Sequence, residues 1–263
     1  MTDPLADALA KLERAERQLR VLNRLVQRWE RLGKGDKPYA LRPQVESTRA
    51  EPRPHVVYRF AVDQDPPPSL PMLIGECTHN LRCAVDYVAF ALKRDPRPPD
   101  EDIQFPIWTD EWHPKSKWLG GLIPTAADAI KGLQPFEGGN RRADRPHDLA
   151  ILRHLSNWDK HRKLIVQGIS QGITSWYGPA PILFHTGPFP HGAIVMEFGV
   201  DATTDMGDAV MSHRPYVSTS PDIAAVVAFA DPPEVRGLAP SLSLGYIAEY
   251  IRDTVIPQLR PFV

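Results

Sequence analysis

Apolar side chains recur in alternating steps of three and four at Leu5, Ala8, Leu12, Ala15, Leu19, Leu22, Val26 and Trp29. A repeat sustained for four heptads specifies a long amphipathic helix over residues 3 to about 32, ended by Gly33 and Gly35. Its stripe is too large to stay in water, so residues 5 to 29 require a cover. The C-terminal helix or a second copy of the chain in a homo-oligomer would supply one. Arg17, Arg20, Arg24, Arg28 and Arg31 fall on the opposite side as a basic stripe that could follow a nucleic-acid backbone. Arginine outnumbers lysine 22 to 9 throughout the chain, so a solvated face is the favoured reading.

The remainder reads as helices and strands segregated along 263 residues, which is chain enough for a substantial core. Alternation at Val56, Tyr58, Phe60 and Val62 predicts a strand or hairpin within Pro38 to Asp63. Helices are expected near 69–93, 125–133, 147–163 and 241–259, the last from Leu244, Ile247, Ile251, Val255 and Leu259. Between them, 164 to 232 hold short apolar runs split by Gly and Pro, an antiparallel set of strands. This pattern predicts a single α+β domain over 1–263 with a helical core, the first 34 residues forming the amphipathic helix, and it argues against a doubly wound nucleotide fold.

Several function classes are excluded at once. The longest uninterrupted apolar run, Ile223 to Ala230, is far short of a membrane span, and Asp3, Asp7 and Lys11 interrupt the N-terminus where a secretory signal needs apolar continuity. A cytoplasmic address is expected, and no membrane partner. Cys77 and Cys83 lie six apart on one helix and point different ways, so they cannot pair, and they lack zinc spacing. No P-loop, dinucleotide fingerprint, Gly-x-Ser-x-Gly or His-Glu-x-x-His occurs, and no cofactor is implied.

The helix around Gly75 to Phe90 carries the chemistry. Ile74, Leu81, Val85, Val88 and Leu92 make one apolar face, while Glu76, His79, Arg82 and Asp86 share the other with Asn80 nearby. Because Met72, Cys83 and Phe90 interleave with those polar groups, burial on both sides is expected, and buried polar groups need partners. The helix ending Asn157-Trp158-Asp159-Lys160-His161-Arg162 offers them. The wheel predicts a reciprocal clasp, Arg82 to Asp159 and Asp86 to Arg162, as a charge network between two helices.

The strings Gly-Glu…His-Asn-Leu-Arg…Asp-Tyr, Phe-Pro-Ile, Leu133-Gln134-Pro135-Phe136 and Asp159-Lys160-His161-Arg162 resemble a widespread family of uncharacterised bacterial proteins. The resemblance covers roughly residues 70 to 165. It implies that the two helices belong together and supplies no reaction.

Two uses of the cluster are open. It can bind a ligand or partner through Glu76, Asn80, Arg82, Asp86, Asp159, Lys160 and Arg162. Alternatively, His79 and His161 can act as acid and base in metal-independent phosphodiester cleavage, with Arg82, Lys160 or Arg162 stabilising the phosphate. The histidine spacing does not fit the helical HEPN ribonucleases, because seven residues separate Arg153 from His161 and the Arg142–His147 pair crosses Pro146. Glu76-x-x-His79 has di-iron spacing but no second pair exists, so no metal is expected. His147, His154 and His161, spaced by seven, read as ordinary residues of one face.

Overall fold

The computed structural model describes residues 3–30, 37–46, 55–94, 103–119, 121–137, 145–175, 183–185, 187–199 and 222–263. In chain order these form α1 (Ala6–Glu30), β1 (Tyr39–Glu46), β2 (His55–Val62), α2 (Leu70–Ala91), α3 (Pro124–Gly132), α4 (Asp148–Asp159), β3 (Ile165–Ser175), β4 (Leu183–Phe184), β5 (Ile194–Gly199), β6 (Asp222–Asp231) and α5 (Pro240–Tyr250). The fold is α+β, with helices where the apolar periodicity predicts them, except that α4 ends at Asp159, short of the expected residue 163. Among the described residues no helix is long and apolar enough to cross a membrane. Arg31 lies outside the described residues.

Backbone contacts form two compact units, 1–25 with 68–165 and 229–263, and 26–67 with 166–228. The first is the helical unit. Leu5, Ala8, Leu12, Ala15 and Leu22 of α1 are buried, so this stripe is covered within one chain and needs no second copy for its burial. Two helices contact it: the Cys77 thiol of α2 donates to the Ala15 carbonyl at 3.5 Å, and Gly245 of α5 faces Leu19. Ion pairs Arg252–Glu16 and Arg260–Asp3 fasten the C-terminal segment alongside α1.

α5 continues through a π turn (Ile251–Val255) into a last α-helical turn (Ile256–Leu259). The widening has a local cause in Pro257, which lacks an N–H and whose ring crowds the carbonyl four residues back. Leu244, Ile247, Ile251, Val255 and Leu259 nevertheless stay buried, so the helical spacing read from the sequence survives the defect.

The entry of α4 departs from expectation. The helix begins at Asp148, and His147 is its N-cap, with Nδ1 accepting the Leu149 N–H at 3.1 Å. His147 is therefore buried, while His154 is half-buried and His161 exposed. The three histidines do not share a face because the first precedes the helix as its cap and the last follows its end at Asp159. Around the cap, Arg145 and Asp148 form a buried ion pair at 2.5 Å, Arg145 lies over the Tyr246 ring at 4.6 Å, and the His147 and Tyr250 rings meet edge to face at 5.2 Å.

The second unit holds a sheet of order β1-β2-β5-β4 and a two-stranded sheet of β3 and β6. β1 and β2 pair antiparallel from Tyr39↔Val62 to Glu46↔His55, and Pro43 is tolerated because β1 is the edge strand. Arg42 and Arg59 oppose each other across this ladder, an unfavourable placement that Asp63 and Glu46 offset by pairing with one each. Trp29 is buried in this unit, where its indole N–H donates to the Gln64 carbonyl at 2.9 Å and its ring stacks obliquely near Tyr39. A Cβ at Gly168 would come within 2.7 Å of that ring, so only glycine lets β3 approach it.

Candidate functional site

The polar side of α2 divides into three rows with different occupations. Glu76 and Asn80 form the first row, and Gln18 of α1 joins them, donating to the Glu76 carboxylate at 2.8 Å and accepting from Asn80 Nδ2 at 2.9 Å. Gln18 is buried at 7% exposure. These residues hold α1 to α2 and are consumed by that task.

Arg82 and Asp86 form the second row. Their expected partners were Asp159 and Arg162, but they pair with each other at 2.8 Å and together grip one residue of the following loop. Asp86 accepts the Phe105 N–H at 2.8 Å, and Arg82 donates to the Phe105 carbonyl at 2.7 Å. The reason is geometric: an i,i+4 pair on one helix face is already in contact, and the buried, extended strip Phe105-Pro106-Ile107-Trp108 presents backbone groups with no ladder to satisfy them. Gln134 closes the strip from the other side. It accepts the Trp108 N–H at 2.9 Å and donates to the Pro106 and Ile130 carbonyls. The strings around Arg82, Phe105 and Gln134 are thus parts of one clamp.

Replacing Asp86 by Ala is expected to cost about 1.5–3 kcal/mol, since a charge-assisted bond and a buried N–H lose their partner. The double variant with Arg82→Ala should cost clearly less than the sum of the two singles, measured by urea unfolding. Additive losses would contradict the clamp.

The third row contains Gly75, His79, Cys83 and Tyr87, four residues apart and so about 6 Å apart along the axis. Asp159 comes to this row from α4. A Cβ at Gly75 would lie 2.6 Å from Asp159 Oδ1, so the missing side chain at 75 is the seat of the carboxylate. One turn on, exposed His79 has Nε2 at 3.5 Å from Cys83 Sγ. Desolvation pushes the Asp159 carboxyl above the usual carboxylate range, with the nearby His79 ring opposing the shift. Burial likewise raises the half-buried Cys83 thiol, while Lys11 leads the opposing influences and Asp86 adds to the rise.

The end of α4 explains why the clasp fails. The helix stops at Asp159, with Lys160 as its C-cap, so wheel positions no longer apply to His161 and Arg162. Arg162 folds back over the Trp158 ring at 4.8 Å, and Lys160, His161 and Arg162 are all exposed. Among the described residues no hydrogen bond or ion pair joins His79 to His161. Nor does any group of three potential ligands among them suit a metal ion.

Beyond Cys83 the row runs into a groove of about 540 Å³ lined by Pro4, Asp7, Ala8, Tyr87, Phe90 and Ile103 among others. Tyr87 and Phe90 are 41% and 49% exposed there, unusual for aromatic residues on a packed helix. Sequence reasoning missed this groove, although the exposed phase of Phe90 on the wheel was a usable signal. The chain matches no protein-family model, no curated protein and no solved structure.

Proposed function

We propose that this is a ligand-binding protein whose recognition site is the third row of α2, with Asp159 as the acceptor for a hydrogen-bond-donating head group and the Tyr87–Phe90 groove as the apolar end. One observation carries this reading: two stability sacrifices coincide at a single point. Gly75 sits in the interior of α2, where glycine is worth about 1 kcal/mol less than alanine. The Asp159 carboxylate it accommodates stands at the C-terminus of α4, where negative charge opposes the helix dipole by about 0.3–1 kcal/mol. Among the described residues that carboxylate accepts no hydrogen bond. Natural chains concentrate such locally unfavourable choices at sites of use.

About 18 Å separate the Gly75 and Tyr87 levels along the axis, so the site suits an extended amphipathic ligand. The row's polar end carries the acceptor and its far end the aromatic surface, which is the arrangement of a cleft that orients through few polar groups.

Asp159→Asn is expected to stabilise the protein at neutral pH. The sign follows from the raised carboxyl: between the ordinary aspartate range and its raised value the unfolded chain binds fewer protons than the folded one, so stability falls as pH rises through that window. The advantage of Asn should therefore vanish in acid, where both forms are neutral. Binding is tested by NMR titration with n-octylammonium and its uncharged counterpart n-octanol. The cation should bind more tightly by about fivefold, corresponding to ~1 kcal/mol, and lose that preference in Asp159→Asn and in Gly75→Ala, whose methyl evicts the carboxylate. Equal affinities for wild type and Asp159→Asn would refute the reading.

A further inference from the structure

We infer that Cys83 is an acyl-accepting nucleophile, with His79 as its general base, Asp159 as the group that steadies the resulting imidazolium, and the Tyr87–Phe90 groove as the seat of the acyl chain. The inference rests on the reading of this row as the ligand site and assigns its chemistry: in the acyl transfer the charge that Asp159 offers a cationic head group serves the imidazolium instead. The substrate class is an activated ester or thioester with a short apolar acyl group.

Three placements support it. Cys83 Sγ faces His79 Nε2 at 3.5 Å, the contact that a thiol and its base make before a substrate tightens it. Asp159 of α4, seated on Gly75 one turn before His79, puts a carboxylate beside the ring that acts on it through charge and without a hydrogen bond, in the order acid, imidazole, thiol. The groove begins one turn after the sulfur, about 6 Å along the axis, within reach of a chain of a few methylenes attached to a carbonyl at Sγ.

Charge around the sulfur fits the same chemistry. Lys11, which lies 5.8 Å from the Tyr87 ring centroid, is also close enough to act on Cys83, and Lys160 adds positive charge from the end of α4. An oxyanion developing beside Cys83 would meet those cations. The resting thiol keeps its proton because burial raises it, so attack requires the base and does not proceed from a standing thiolate.

The step balances without a further reagent. As Sγ bonds to the acyl carbon, the thiol proton passes to His79 Nε2. The bond from the acyl carbon to the leaving oxygen or sulfur breaks, and the leaving group takes that proton from the imidazolium. The products are S-acyl Cys83 and a free alcohol or thiol.

Cys77 provides an internal control, since it is 1% exposed and its thiol is pushed up to about 12. The full chain is incubated with p-nitrophenyl butyrate, p-nitrophenolate release is followed by absorbance, and the adduct is located by peptide mass mapping. The expected result is one acyl group per chain on Cys83 and none on Cys77. His79→Gln should slow acylation by at least about tenfold, given what a positioned base contributes. Asp159→Asn should slow it less and displace the pH midpoint of the rate, a readout that a merely structural role would not move.

Acylation as fast in His79→Gln as in wild type, or an adduct elsewhere, would overturn the inference. Octylammonium binding measured on Cys83→Ser separates the two proposals. If that variant binds while wild type is not acylated, the nucleophile fails and the ligand site stands.

Discussion

Asp148→Ala should destabilise the helical unit by about 3–5 kcal/mol, the range for breaking a buried ion pair from one side. The Asp148 and Arg145 side chains are 3% and 7% exposed and meet at 2.5 Å, so removing the carboxylate leaves a guanidinium in a site too dry to hydrate it. Asp148 also sits in the first turn of α4, where its charge complements the helix dipole, and beside the His147 cap. A double replacement of Arg145 and Asp148 by apolar residues of similar volume is expected to recover much of the loss, because neither desolvation cost then remains. Chemical unfolding of the two singles and the double settles the point. A loss below about 1 kcal/mol in Asp148→Ala would show that the pair is hydrated in solution.

An alkaline titration reports on the same cluster. Burial, and then the Asp148 charge, push the Tyr250 phenol up to about 12. The unfolded chain releases that proton near the ordinary tyrosine value of about 10, so it binds fewer protons than the folded chain between the two, and stability should fall as pH rises through that window.

Gln134→Leu is expected to be of similar severity, about 3–5 kcal/mol, for a different reason. Gln134 is fully buried and neutral, yet its amide serves the Trp108 N–H and the Pro106 and Ile130 carbonyls at once. Leucine fills the volume and leaves buried groups without partners, each worth about 1–3 kcal/mol. The Phe105–Trp108 strip should then detach while the helices persist. Near-ultraviolet circular dichroism would lose the contribution of Trp108, which packs edge to face on Trp112 at 4.9 Å, before the far-ultraviolet signal changes. Coincident loss of both signals would show that strip and helices unfold as one unit.

How much of this was legible beforehand follows from what kind of information each feature needs. Helix positions and the buried stripe of α1 were readable because a 3.6-residue period is a property of the chain itself, and any cover satisfies it. The same holds for the strand pairing read within Pro38 to Asp63. The pairing of polar groups was not readable in this way. Wheel arithmetic placed Asp159 towards α2, where the seat at Gly75 indeed receives it, but it also carried Arg162 past the end of a helix that stops at Asp159.

By itself, the sequence determined the segregated helices and strands, the apolar faces, and the polar groups of α2 that seek partners, though not the burial expected around them, since Met72 and Phe90 stay 70% and 49% exposed. Only the tertiary structure decided which partners those were. Arg82 and Asp86 had two chemically equal choices, a distant ion or a loop backbone, and the unladdered Phe105–Trp108 strip won because its buried N–H and C=O groups had no other means of satisfaction. That choice in turn left Asp159, which accepts no hydrogen bond among the described residues, seated on Gly75 one turn before His79 and Cys83. No periodicity encodes such a remainder, because it depends on every contact made elsewhere.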